Sequence, residues 1–280
     1  MREINAGVIQ DNVQKLFAST CCDLGCDVEN SIKKALDAEK ASSGKKILQQ
    51  LLENINIARE DNIPLCQDTG MAVVFLEIGQ DVHITGGYLY EAVNQGVRLA
   101  YKNGCFRKSV VKSPIFRENT LDNTPAIIHT DIIPGDKIKI IAMPKGFGSE
   151  NMSAVKMLKP SDGVEGIKSF VLDTVIKAGA NPCPPVILGI GIGGTLEMCT
   201  LLSKKALLRD MSQKSSDKYI ASLEDELLDD INKTGIGPQG LGGKVTCLKV
   251  NILTYPTHIA GLPVSVNMQC HASRHREITI

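Results

Sequence analysis

Three cysteines sit in settings that buried structural cysteines seldom occupy. Cys66 lies in Pro64-Leu65-Cys66-Gln67-Asp68-Thr69-Gly70, Cys183 in Asn181-Pro182-Cys183-Pro184-Pro185, and Cys270 in Gln269-Cys270-His271. Two have proline close by and the third ends a strand-like run, so the backbone at each can be shaped around a ligand. Three thiolates from distant loops can hold a metal cluster and leave one metal position open to substrate. Spacing alone does not establish this, because the chain has nine cysteines.

Asp68 follows Cys66 by two residues. An aspartate beside a metal-ligating thiolate is placed for proton transfer to an oxygen at the metal. The plainer reading is a turn aspartate bonding its own backbone ahead of Gly70. Lys145-Gly146-Phe147-Gly148-Ser149-Glu150-Asn151 is a glycine-rich loop after a strand. Its N–H groups could bind a carboxylate or phosphate, or it is a plain strand-to-helix connection. It lacks the Gly-Lys-Ser/Thr ending of a P-loop. Gly189-Ile190-Gly191-Ile192-Gly193-Gly194 satisfies G-x-G-x-x-G formally. A dinucleotide site needs an acidic strand end about 20 residues on. A polar stretch stands there instead, which favours close helix–strand packing. Arg107-Lys108 could complement a helix C-terminus or grip a substrate carboxylate. Of the scattered histidines, His258 is the more suggestive, because Pro256-Thr257-His258 leads into the strand that ends at Cys270.

The elements that must position these residues are legible from hydrophobic period. A helix is predicted over roughly 43–59, with Ser43 at its N-cap and Ile47, Leu48, Leu51, Leu52 and Ile55 on one face. Cys21, Cys22 and Cys26 fall between two earlier helical stretches and read as loop or packing residues. Met71–Ile78 is a buried strand, and Tyr88–Asn103 a helix ending at Gly104. Pro125–Ile132 and Lys137–Met143 read as two strands joined by the Pro134-Gly135 turn. Val164, Ile167, Val171 and Val175 mark a helix, Val186–Ile190 a buried strand, and roughly 195–209 and 220–233 two more helices. Residues 211–218 read as an exposed loop, and Val245–Leu253 and Pro263–Met268 as strands. Without strict βαβ alternation, the expected class is α+β (mixed α/β): a helical segment over 1–60, then mixed sheet with packed helices over 61–280, in one domain.

Composition bounds the function. Lys plus Arg equals Asp plus Glu at 31 each, which disfavours a nucleic-acid binder. Hydrophobic residues make up 43%, enough for a sizeable core. No apolar run approaches the roughly 18 residues of a membrane span. The N-terminus, Met1-Arg2-Glu3-Ile4-Asn5, shows no signal region. An odd number of widely spaced cysteines favours reduced thiols in a cytoplasmic protein. Trp is absent and aromatics are scarce, which disfavours base-stacking surfaces.

Together, Pro64–Gly70, Arg107-Lys108-Ser109-Val110, Asn119-Thr120, Asp122–Ala126, Gly148-Ser149-Glu150-Asn151, Asn181–Pro185, Gly235–Lys244 and Tyr255–His275 resemble the class I fumarate hydratases. The resemblance is to the alpha subunit of the two-subunit form, whose close relative is the alpha subunit of L(+)-tartrate dehydratase. It runs nearly end to end. It implies a hydro-lyase that reversibly hydrates fumarate to (S)-malate, or one that dehydrates tartrate. It also implies a [4Fe–4S] cluster on Cys66, Cys183 and Cys270, and Gln67, Asp68, Arg107, Gly148 and His258 as substrate-contacting positions, with Asp68 the acid/base group. The family commonly has Lys-Gly-Gly-Gly-Ser where this chain has Phe147 in place of the middle glycine. Single-chain relatives carry a further domain with more catalytic groups. The resemblance therefore implies a beta subunit as partner, in a heterotetramer that pairs two alpha subunits. Remote rivals are a dinucleotide- or anion-binding module around Gly189–Gly194 and a cysteine hydrolase built on Cys270.

Overall fold

In chain order the elements are β1 (Arg2–Asn5), α1 (Ala6–Cys22), α2 (Cys26–Ala38), α3 (Ser42–Glu60), β2 (Met71–Gly79), β3 (Val82–Thr85), α4 (Leu89–Asn103), β4 (Ile127–Ile133), β5 (Ile138–Lys145), α5 (Phe147–Glu150), β6 (Ala154–Leu158), α6 (Gly163–Ala178), β7 (Val186–Gly193), α7 (Leu196–Ala206), α8 (Lys218–Asn232), β8 (Cys247–Tyr255), β9 (Leu262–Gln269) and β10 (Arg276–Thr279). They come from a computed structural model that describes residues 1–280. The chain is a mixed α+β protein, as its patterning predicts. Two compact units are interleaved along it. The first collects Met1–Gly25, Asn54–Phe147 and Arg274–Ile280, and the second Cys26–Glu53 and Gly148–Ser273.

The first unit is built on a four-stranded sheet of order β10-β5-β2-β4. β2 is its apolar centre, parallel to β4 and antiparallel to β5. Alternate residues Ala72, Val74 and Leu76 share a core with Ile138, Ile140 and Ala142 and with two helices. α1 supplies Ile9, Val13, Leu16 and Phe17, and α4 supplies Val93, Val97, Ala100 and Tyr101. These positions repeat at helical spacing, so one stripe of each helix is buried.

The two strands flanking Pro134-Gly135 form, but they do not pair with each other, because β2 lies between them. Its C-terminal end is threaded into the turn. Gly79 N–H donates to the Lys137 carbonyl at 2.8 Å, Gln80 N–H to Ile133 at 2.8 Å and Asp81 N–H to Gly135 at 3.0 Å. A long buried strand with both edges filled outcompetes the local hairpin.

The second unit carries the sheet β6-β9-β7-β8. β7 runs parallel to β8, and β9 runs antiparallel to β7 and β6. Leu188 and Ile190 of β7 pack with Val250 and Ile252 of β8, Val264 and Val266 of β9, Val171 and Val175 of α6, and Leu227 and Ile231 of α8. Glycines 189 and 191 fall on the opposite face. A Cβ on either would collide with α7, at the Ser203 and Cys199 carbonyls respectively. The G-x-G run is thus a close-packing device for α7. β8 does not end on an acidic residue that could hold a ribose; it ends at Tyr255.

Most element ends shift by one to three residues, and two of the shifts have a visible cause. α3 opens one residue earlier than expected, because Lys45 N–H already donates to the Ala41 carbonyl at 3.0 Å. Ser43 therefore sits inside the first turn and is not the N-cap. β8 begins at Cys247 rather than Val245, because the Val245 N–H is taken by Glu39 Oε2 at 3.0 Å. No helix is long and apolar enough to cross a membrane.

Candidate active site

In the first unit, the turn from Cys66 to Gly70 enters β2. Gly70 has φ +76°, and a Cβ there would meet the Pro144 and Lys145 main chain at 2.8 Å, so the turn requires glycine. The Asp68 carboxylate bonds its own backbone, as the plain turn reading predicts: Gly70 N–H donates to Oδ1 at 2.9 Å. It also reaches beyond the turn, because Phe147 N–H donates to Oδ2 at 2.8 Å. Both oxygens are thus held by main-chain donors from separate loops. Phe147 adopts no left-handed backbone. It opens α5, so the departure from a glycine at this position is not strained.

Three successive carbonyls behind Asp68 are also held. Arg274 Nη2 donates to the Asp68 carbonyl at 2.9 Å. The Tyr101 hydroxyl lies 2.6 Å from the Thr69 carbonyl and 3.1 Å from that of Gly70. Asn123 Nδ2 donates to Gly70 at 3.1 Å. Burial pushes the Tyr101 phenol well above its ordinary value of 10, so it remains a donor. Thr69 Oγ1 donates to the Arg107 carbonyl at 2.8 Å, which brings Arg107 to the same turn. Arg107 is exposed, and its Nη1 donates to Gln67 Oε1 at 3.3 Å. Gln67, Asp68 and Arg107 therefore form one cluster in this unit, with Cys66 half-buried beside them.

In the second unit, Cys183 is exposed and takes φ +55°. For a residue with a Cβ this costs roughly 1–2 kcal/mol. Its loop is pinned on several sides. Cys183 N–H donates to Ala180 at 3.0 Å. The Pro184 carbonyl accepts from Gln239 N–H at 2.7 Å and from Gln239 Nε2 at 2.9 Å. His271 Nδ1 lies 3.1 Å from the Cys183 carbonyl. A carbonyl only accepts, so Nδ1 carries the proton there. The 3.3 Å approach of Gln239 Nε2 to the same nitrogen is then a packing contact. Cys270 is half-buried next to His271. Cys183, Cys270, His271 and the Gly235–Lys244 loop are thus gathered in this unit. A Cβ on exposed Gly148 would come 3.7 Å from the Asn181 carbonyl, which places Gly148 by the Cys183 loop. His258 is exposed and makes a local turn, its Nδ1 accepting from Ala260 N–H at 3.2 Å; no bond ties it to this group.

None of the nine cysteines is in a disulfide, and they fall into two classes. Cys21, Cys22, Cys199 and Cys247 are buried. Burial raises the Cys21 and Cys247 thiols to about 12 and raises the other two as well, so these four stay protonated and pack as small apolar residues. Cys66, Cys183 and Cys270 are accessible and stand on turns. Cys26 and Cys105 are also exposed; Cys26 opens α2 and Cys105 stands in the turn after α4. The three motif cysteines therefore suit thiolate ligation in their chemistry. The structure contains no group of three or more His, Cys, Asp or Glu side chains already set around a metal position.

Tyr101, Asn123, Arg274, Gln239 and His271 escape the sequence reading as site residues. Tyr101 looks like one more core position of α4. Asn123, Gln239 and His271 lie within recognisable motifs, but nothing in their spacing assigns them a task. Arg274 lies within the Tyr255–His275 segment, but nothing in its spacing assigns it a task either.

The sequence profile of the family described as Fumarate hydratase (Fumerase) matches residues 10–279. The chain belongs to this family. It is 47% identical over 272 residues to a protein of Methanocaldococcus jannaschii provisionally named L(+)-tartrate dehydratase subunit alpha, covering 95% of each chain. It is 34% identical over 259 residues to the L(+)-tartrate dehydratase subunit alpha of Escherichia coli K12, covering 91% of this chain and 84% of that one. The Shigella sonnei protein of the same name matches equally. As a member of the Fumerase family of alpha type, the chain is a hydro-lyase of the class I fumarase group.

Proposed function

We propose that this chain is the alpha subunit of an enzyme that reversibly hydrates fumarate to (S)-malate, completed by a beta subunit. The observation that carries the reading is the Gln67–Asp68–Arg107 cluster. It offers a carboxylate fixed through both oxygens beside an exposed guanidinium. Cys66, Cys183 and Cys270 would hold a [4Fe–4S] cluster, on the strength of their accessible thiols and pinned loops. Bound there, the cluster would supply a Lewis acid that acidifies an oxygen without any change of redox state.

The chain's own residues would do the rest. The two main-chain donors on Asp68 fix its plane while lone pairs remain on each oxygen, enough to take and return a proton. Arg107 is free to rotate its outer N–H groups onto a dicarboxylate end, a bidentate contact that Lys could not copy. That positive charge also stabilises the extra negative charge that builds on the carboxylate when the carbon next to it is deprotonated. Gln67 orients Arg107 or the substrate. Exposed N–H groups around Gly148 and the His258 ring are further candidates for carboxylate contacts.

A second reading, L(+)-tartrate dehydration, is favoured by the names of the relatives. The two substrates differ by one hydroxyl, and the chemistry of Asp68 and Arg107 serves both. The test is turnover of malate, fumarate and L(+)-tartrate by the anaerobically prepared alpha–beta pair. A preference for malate and fumarate supports the first reading, and a preference for tartrate the second. A pair that turns over none of the three overturns the hydro-lyase assignment.

A further inference from the structure

Arg274 is 2% exposed, yet its guanidinium has one hydrogen bond, from Nη2 to the Asp68 carbonyl. Its Nε and Nη1 are buried without a partner. An isolated buried charge is a costly way to hold one neutral carbonyl, and an apolar side chain of similar volume would serve folding better. The Tyr101 phenol feels both the positive charge of Arg274 and the negative charge of Asp68. Cys21 and Cys22, which also feel the Arg274 charge, are protonated thiols.

The arrangement extends along the turn. Arg274 takes the Asp68 carbonyl, Tyr101 the Thr69 carbonyl, and Tyr101 and Asn123 that of Gly70. Three consecutive peptide planes are therefore fixed from behind by side chains that bond neither Asp68 carboxylate oxygen. Fixing these planes fixes the Cα–Cβ direction of Asp68, and with it the position of its carboxylate. We propose that Arg274 is a positioning residue that, together with Tyr101, locks the Asp68 turn in its reacting orientation. The proposal rests on the reading of Asp68 as the acid/base group.

The test uses the complete alpha–beta enzyme and four variants: Arg274→Gln, Arg274→Lys, Tyr101→Phe and Asp68→Asn. Misplacing a reacting group by about 1 Å can cost on the order of 100-fold in rate. Arg274→Gln and Tyr101→Phe should lower kcat about 10- to 100-fold while KM changes less than about twofold. Arg274→Lys should recover most of the loss. Amide exchange at residues 68–70 should quicken in Arg274→Gln and stay near wild type in Arg274→Lys. If Arg274→Gln does not fold, Tyr101→Phe decides alone. Wild-type kcat in the Gln and Phe variants, with Asp68→Asn impaired, overturns the positioning role. So does a loss of thermal stability with kcat and KM unchanged. Wild-type kcat in Asp68→Asn overturns instead the reading of Asp68 on which the proposal stands.

Discussion

Phe147 N–H donates to Asp68 Oδ2 at 2.8 Å while Gly70 N–H holds Oδ1 at 2.9 Å, so the carboxylate is clamped between two backbone segments far apart in sequence. An amide cannot copy this, because Asn presents one acceptor and one donor to two donors. Asp68→Asn is therefore expected to lose one clamp as well as the proton-accepting group. The expected result is a fall in kcat of about 10²–10⁴-fold with KM little changed. Steady-state kinetics of the alpha–beta pair check it. Normal kinetics in a less stable protein would mean that Asp68 is a turn residue and nothing more.

Arg107 predicts a different signature. It is exposed and its side-chain hydrogen bond to Gln67 is long, 3.3 Å, so its removal should leave folding intact. Arg107→Ala should raise KM about 10-fold or more, with a smaller loss in kcat, and leave the melting temperature unchanged. Arg107→Lys should recover little if the contact is bidentate. A melting temperature lowered in step with activity would make Arg107 a structural residue.

Glu39 predicts an acid-sensitive seam in the second unit. Its buried carboxylate accepts N–H from Lys40 and Ala41 at 2.8 and 3.0 Å, from Lys244 at 2.9 Å and from Val245 at 3.0 Å. Burial alone would raise its pKa, but the Lys244, Ala41, Val245 and Lys40 donors outweigh burial and lower it below the ordinary 4.5. A folded pKa below the unfolded one makes the carboxylate stabilising above pH 4.5, and this contribution is lost as pH falls through the lowered value. Glu39→Gln should destabilise at neutral pH by about 1–3 kcal/mol, since it turns a donor toward donors. The gap in melting temperature between wild type and variant should shrink in acid. A gap that does not change with pH would assign the loss to packing instead.

Sequence reasoning succeeds where the chain's period is strong and fails where topology decides. β2, α4, α6, β7 and β9 have long apolar runs or stripes, and their ends fall within a few residues of expectation. β1, β3, β6 and β10 are four- or five-residue strands, too short to show a period. The β4–β5 turn is legible, but not the insertion of β2 between the strands, which depends on pairing across about 60 residues of sequence. The glycines at 189 and 191 read correctly as packing devices, because the acidic strand end that a dinucleotide site needs was missing. The cysteine motifs stand out through proline and glycine neighbours. The residues behind them do not: Tyr101 and Arg274 act on carbonyls, which leave no trace in a sequence.

The measurement that bears most directly on the account is iron and sulfide content of the anaerobically prepared alpha–beta complex, in wild type and in single Cys→Ser variants. The account predicts roughly four iron and four sulfide per alpha chain. It predicts loss of most of that iron in Cys66→Ser, Cys183→Ser and Cys270→Ser, and full retention in Cys21→Ser and Cys105→Ser. A complex without iron that still turns over its substrate, or iron loss spread equally over all five variants, would contradict it.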